Sequence, residues 1–168
     1  MKWNRKFNYP TSTRALYNGK RLYDVNNEKL PSVTTILAAT KPQEEIDSLN
    51  RWREKVGHKQ ADIISREATE RGSSMHDYIE KFLLGKLNLD LLGDNTRERM
   101  MADQIIENGL RNRLQEIWGC ESTLYYPGKY AGAADCIGVY ENYETLIDFK
   151  QSNNCLLYTS PSPRDKRQ

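Results

Sequence analysis

Asp148 and Lys150 stand two residues apart in "TLIDFKQS", a stretch whose alternation predicts a strand. Side chains at i and i+2 of a strand share a face, so the carboxylate and the ammonium point the same way, with Ile147 and Phe149 on the other side. Asp135 lies on the preceding predicted strand, "YAGAADCIGVYE". A turn at Asn142-Tyr143 would bring it close to Asp148, among the apolar Leu146, Ile137 and Val139. Charges on a half-buried face are costly unless they are paired or bind a metal. Two carboxylates can hold a hard divalent cation through oxygen. Such a cation polarises a phosphate and lowers the pKa of a bound water, and a lysine beside it can orient that water or offset developing charge. The pattern therefore fits phosphodiester hydrolysis. An ordinary Asp–Lys ion pair on a solvent-facing edge strand has the same spacing.

A second group lies in "RGSSMHDYIEKFL". His76 and Glu80 are four apart and share one side of a helix. They flank the apolar Met75 and Ile79, at the border of a core-facing stripe. Gly72 lies one turn earlier and would allow a close approach by another element. A histidine at such a border is available as a metal ligand; a surface His–Glu pair is the plainer alternative.

Several elements must position these groups. Residues 14–25 read as a hairpin about Asn18-Gly19. Residues 26–31 read as a loop. Ser32 then caps a short helix that ends before Lys41-Pro42. Residues 43–56 form an amphipathic helix closed by Gly57, and residues 60–84 a long one closed by Gly85. A loop over 85–96 leads to a further helix over 97–118, with Met101, Ile105, Leu110, Leu114 and Ile117 as its apolar set. The period then changes to two, giving three strands with a turn at "NYE". The expected class is mixed α/β (α+β), N-terminal helices followed by a β-meander.

Composition narrows the possibilities. Hydrophobic residues make up 38% and charged residues 29%, enough for one domain with a very polar surface. No apolar run approaches the roughly 18 residues that span a membrane, and the N-terminus has no apolar signal segment. Three cysteines form no Cys-x-x-Cys pair, which points to a reduced, cytoplasmic setting. The net charge is +2, and Arg164, Lys166 and Arg167 against Asp165 account for all of it. Binding to nucleic acid would rest on a local patch or a metal.

The ordered set Gly72, His76, Glu80, then "YAGAADCI" with Asp135, then "IDFK" with Asp148 and Lys150, resembles the PD-(D/E)xK nucleases of the RecB-like exonuclease branch. "LPSVTTIL", "WREKVG" and "ERGSSMHDYIE" look closest to phage-encoded exonucleases and are also similar to the mitochondrial genome maintenance exonuclease group. The resemblance runs from about Gly19 to Asn154. It implies a restriction-endonuclease-like core and a Mg²⁺- or Mn²⁺-dependent exonuclease acting on DNA, single-stranded or at ends, in replication or recombination. Asp135 and Asp148 would ligate the metal, the Phe149 carbonyl would add an oxygen, Lys150 would be the catalytic lysine and His76 would join the metal site. Glu80 and Gln151 would support the site or contact substrate, with Glu121 behind them, although an exposed strand carboxylate explains Glu121 equally well. Ser32 and Thr34 at a helix start could meet a phosphate, although capping explains Ser32 equally well. Arg71 is a candidate backbone contact, or simply a partner for Glu67. Tyr125, Tyr126 and Tyr130 could stack on bases or pack internally. A non-catalytic DNA-binding or recombination-accessory protein on the same scaffold is the alternative.

The pattern also departs from the family. Some members hold an iron–sulfur cluster on four cysteines; Cys120 and Cys136 are too few, so no cluster is expected. A Gln-x-x-x-Tyr helix and a further strand should follow the D-x-K strand. Instead residues 155–165 read "CLLYTSPSPRD", whose prolines forbid a helix. The stretch resembles, codon for codon, a translated transposon-type sequencing adapter. The expected organisation is a C-terminally truncated exonuclease domain over 1–154, from a metagenomic assembly, followed by a non-native tail over 155–168; lacking the closing helix and strand, the fragment could itself be inactive. Oligomeric state is not legible in the sequence.

Overall fold

The computed structural model describes residues 1–18, 20–86 and 96–151. The expected loop over 85–96 falls largely outside them, and the tail over 155–168 and the boundary at Asn154 fall wholly outside. The architecture is mixed α/β, as expected: two sheets and a set of helices, with one larger and one smaller buried cluster.

The N-terminal sheet is antiparallel, built from β2 (Ser12–Tyr17), β3 (Lys20–Val25) and β4 (Glu28–Pro31). Tyr17 pairs with Lys20 across the expected Asn18-Gly19 turn, and Asn18 sits at φ +50. The loop expected over 26–31 is corrected: only Asn26-Asn27 turns, and Glu28–Pro31 is a strand on β3. Both asparagines have positive φ (+50 and +66), the type I′ geometry whose twist matches a two-residue hairpin. Pro31 misleads as a breaker, because at the end of an edge strand it forfeits no ladder bond.

Helix α1 (Val33–Ala39) follows, its first turn closed by Ser32. Helices α2 (Gln43–Val56) and α3 (His58–Leu83) match the expected periodicity. Gly57 alone separates them, at φ +91, where a residue with a Cβ would be strained.

The largest correction concerns residues 97–118. Helix α4 (Arg97–Gln104) passes into a π-helical turn (Ile105–Leu110), and the chain then leaves the helix. Asn112 turns it at φ +66, and Leu114 opens β5 (Leu114–Tyr126). Leu114 and Ile117 are both buried although three positions apart. A regular strand would put them on opposite faces; the irregularity between Leu114 and Glu116 shifts the register and turns both inward. A bulged strand thus carries an i, i+3 apolar spacing that reads as helix.

Strand β5 pairs with β6 (Tyr130–Tyr140), which pairs with β7 (Tyr143–Ile147); β1 (Lys2–Trp3) lies parallel to β5 at the other edge. The β6–β7 turn is Glu141-Asn142 (φ +48 and +68), one residue earlier than expected. The third meander strand also ends sooner: β7 stops at Ile147, so residues 148–150 are unpaired in the ladder.

One face of α3 closes this sheet. Met75, Ile79 and Leu83 pack with Ala102, Ile106 and Leu110, and with Leu114, Ile117, Cys136 and Phe149 from the sheet side. A smaller cluster of Tyr23, Val25, Leu30 and Ala131 joins the N-terminal sheet to β6. The Trp3 indole N–H donates to the Leu83 carbonyl at 2.9 Å and ties β1 to the end of α3. No helix among the described residues is long and apolar enough to cross a membrane.

Candidate metal centre

Between α3, the β5–β6 hairpin and the N-terminal sheet lies a cleft of about 970 Å³. The core stripe of α3 fixes its orientation. With Met75 and Ile79 buried, His76 and Glu80 are turned to the helix edge that borders the cleft.

Strand β6 brings Asp135 to the same place. Its neighbours Ala134 and Cys136 are buried, which turns Asp135 toward the cleft. The Asp135 carboxylate accepts the Phe149 backbone N–H at 2.7 Å, and its Oδ2 lies 3.6 Å from His76 Nδ1. The bond from the Phe149 N–H to Asp135 holds residues 148–150, which lie beyond the end of β7, on the Asp135 side of the cleft. The Phe149 ring points the other way, buried in the core and edge-on to His76 at 6.2 Å. The facing expected for a regular strand therefore survives where the strand has ended, because Phe149 is anchored on one side and its N–H on the other.

Glu121 completes the arrangement. Cys120 pairs with Cys136 and Ser122 with Ala134, which brackets Glu121 opposite Asp135. Glu121 sits at φ +47 in mid-strand, a left-handed conformation that costs a non-glycine residue about 1 kcal/mol. Ligand atoms of His76, Glu121 and Asp135 all lie within 4.8 Å of one another. Burial and the like charges of Asp135 and Glu80 push the Glu121 carboxyl up, against smaller pulls from Arg14 and His76. A cation would relieve that crowding, and one imidazole with two carboxylates suits a divalent ion of the harder kind. The residues present therefore fit a metal.

The remaining expected residues divide by position. Asp148 and Lys150 line the cleft and pair with each other at 3.0 Å, but Asp148 is outside the tight group. Ser32 and Thr34 also line it. The Ser32 hydroxyl is committed locally: it accepts the Thr35 N–H at 3.1 Å and bonds the Thr34 and Thr35 hydroxyls at 2.9 and 2.8 Å. Arg71 is not brought to the cleft. It lines a separate hollow with Glu67 and Glu70, makes no ion pair with Glu67 among the described residues, and keeps a buried Nε without a partner. Gln151 does not line the cleft either; its Oε1 lies against Gly72, where a Cβ would be 3.8 Å away. The close approach permitted by Gly72 is thus made by Gln151. Cys120 and Cys136 face each other across the β5–β6 ladder, and burial pushes both thiols up to about 12, which leaves them neutral and unreactive near pH 7.

Two groups gain a position that the motif pattern did not give them. Glu121 moves from a supporting place into the tight group; counting back from the Tyr126–Tyr130 pair at the hairpin tip would have set it opposite Asp135. Arg14 and Arg21 enter the cleft from the N-terminal sheet, where the β2–β3 register puts them on one face with Tyr23.

The Glu121 environment gives a testable pH dependence. Its pKa is raised in the fold, so at pH values above the ordinary carboxyl value of 4.5 the unfolded chain has lost a proton that the fold still holds. Stability from this group is complete below that value and is lost as pH rises through the folded value. In EDTA, Glu121→Gln should therefore become more stable relative to the parent as pH is raised from 4.5 toward 7.5. Urea midpoints across that range check it, and a pH-independent difference would contradict it.

No family model matches the chain. Over 133 residues, 76% of its length, the chain is 27% identical to mitochondrial genome maintenance exonuclease 1 of Mus musculus, and spans 38% of that protein.

Proposed function

We propose that the chain is the catalytic portion of a divalent-metal-dependent DNA exonuclease, which hydrolyses phosphodiester bonds at single-stranded or free DNA ends. The observation that carries this reading is the meeting of His76, Glu121 and Asp135 in a cleft that Lys150 also lines. Similarity to a genome maintenance exonuclease supports it. The reading keeps residues 1–154 as the exonuclease domain and residues 155–168 as a non-native tail. The order of the Gly72–His76–Glu80, Asp135 and Asp148–Lys150 motifs supports a PD-(D/E)xK enzyme, and the likeness of "LPSVTTIL", "WREKVG" and "ERGSSMHDYIE" to phage exonucleases supports work in phage replication or recombination.

Asp135, Glu121 and His76 would hold Mg²⁺ or Mn²⁺, with Asp148 and the Phe149 carbonyl as further oxygen donors. The bound cation would supply Lewis acidity toward the phosphate and lower the pKa of water. The chain's own groups do the rest. Asp148 holds the Lys150 ammonium at the cleft by a 3.0 Å ion pair, where the ammonium can orient water and offset charge on the phosphate. Arg14 and Arg21, which line the cleft from the N-terminal sheet, offer cations to the sugar–phosphate chain, and Arg14 is near enough to Glu121 to draw its carboxyl down.

The test uses a 5′-labelled oligonucleotide with Mg²⁺, Mn²⁺ or EDTA. The parent should shorten it from an end only when the cation is present. Lys150→Ala should keep binding within about twofold and lose about 10²-fold or more in rate. Parent-like cleavage by Lys150→Ala would end the lysine's catalytic role. Binding by the parent without cleavage in either metal would leave a DNA-binding accessory protein.

A further inference from the structure

The tip of the β5–β6 hairpin is an unusual piece of surface. Tyr126 and Tyr130 face each other as the last pair of the ladder, 52% and 41% exposed. Their ring centroids are 5.9 Å apart and tilted by 34°, and the Lys129 ammonium lies 4.9 Å from the Tyr126 centroid. Both rings line the same cleft as Asp135. Large aromatic side chains in a monomer are usually buried for their area. Here two are left out together, next to a cation.

The tip is also braced. The Glu28 carboxylate accepts the Gly128 backbone N–H at 2.8 Å, and the Asn26 side-chain amide donates to the Tyr125 hydroxyl at 2.9 Å. Both bonds run to the turn and strand that begin β4, so the hairpin end is held by the other sheet rather than left to wave. The Tyr125 ring packs on the Tyr23–Val25–Leu30 cluster and supports the tip from below. A rigid, exposed aromatic pair with a lysine beside it is suited to a flat π-system that trails an anionic chain.

We infer that Tyr126 and Tyr130 form a preformed stacking platform for an unpaired base of the bound polynucleotide, with Lys129 taking an adjoining phosphate. The inference rests on the reading of the cleft as a DNA channel. At about 3.3 Å per residue along β6, Tyr130 is ~17 Å from Asp135, so the platform grips the strand away from the reacting phosphate. Stacking accepts the face of any base, so the grip is indifferent to sequence. Arg14 and Arg21 lie in the same cleft and continue the cationic track.

The experiment compares two fluorescein-labelled single strands of equal length by anisotropy in Ca²⁺: oligo(dT), and a strand with tetrahydrofuran abasic sites in place of every base. The parent should prefer the base-bearing strand by about tenfold or more. Tyr126→Ala/Tyr130→Ala should bind both strands alike, at the parent's abasic-strand affinity, while Tyr126→Phe/Tyr130→Phe keeps the preference. The rings are exposed, so the melting temperature of both variants should match the parent; this separates loss of a contact from loss of the fold. A parent without the preference, or an alanine variant that retains it, overturns the platform. Failure of the nuclease reading shows elsewhere, as absence of Mg²⁺- or Mn²⁺-dependent hydrolysis by the parent, so the two are told apart.

Discussion

Asp135→Asn should lower metal-dependent hydrolysis by about 10³-fold while leaving the fold intact. Several kcal/mol of charge stabilisation come from a correctly held cation, and each 1.36 kcal/mol is tenfold in rate. Asp135 is the point where three parts of the site meet: the Phe149 N–H at 2.7 Å, His76 Nδ1 at 3.6 Å and Glu121 across the ladder. Asparagine keeps one oxygen for the Phe149 N–H but loses the charge and places an NH₂ among would-be ligands. Alanine removes both functions and leaves that N–H without its acceptor, at a cost of about 1–3 kcal/mol. The two substitutions should thus be equally inactive and differ in melting temperature. Titration calorimetry with Mn²⁺ checks the metal directly, and hydrolysis by Asp135→Asn at the parent's rate would remove Asp135 from the chemistry.

The largest loss of stability should come from Gly138→Ala. Gly138 lies in β6 between two partners, Ile117 on β5 and Thr145 on β7. A Cβ there would run into the backbone carbonyl of Glu116. Glu116 lies at the register shift of β5, and a backbone atom cannot turn away as a side chain can. We expect a loss of about 3 kcal/mol and a fall of ~10 °C in Tm. Gly109→Ala is the contrast: a Cβ there meets nothing within 4 Å, and alanine is the better residue in a helical stretch, so Tm should hold or rise slightly. Thermal denaturation followed by circular dichroism compares the two. Equal melting of Gly138→Ala and the parent would show that β5 can yield at the bulge.

The legible and illegible parts of this chain divide on physical grounds. The helices over 33–56 and the stripe of α3 were readable because caps, Gly57 and a 3.6-residue period all agreed. The hairpin about Asn18 followed from its turn chemistry. Residues 114–118 were not readable, since the irregularity in β5 between Leu114 and Glu116 gives buried strand residues a helical spacing. The turn at Asn26-Asn27 hid a strand because asparagine marks both loops and tight hairpins. Within the site, His76, Asp135, Asp148 and Lys150 were legible as types at spacings, and all four line one cleft. The promotion of Glu121 was not legible in the motifs; it depends on which residue of β5 stands opposite Asp135, which only a count back from the hairpin tip gives. Arg14 and Arg21 were hidden for a similar reason: they come from a different sheet, whose docking no local pattern records.

The bond from the Phe149 N–H to Asp135 sets an order in time. A ribosome delivers His76 first, then Glu121, then Asp135, and residues 148–150 only afterwards. Until Phe149 has emerged, Asp135 lacks its backbone donor, the core lacks the Phe149 ring, and Lys150 does not yet exist. Under the nuclease reading, an unfinished chain is therefore inert toward the nucleic acid around it. The two contacts that seat Phe149 join the core and the site, so the ring's burial and the Asp135 bond form together.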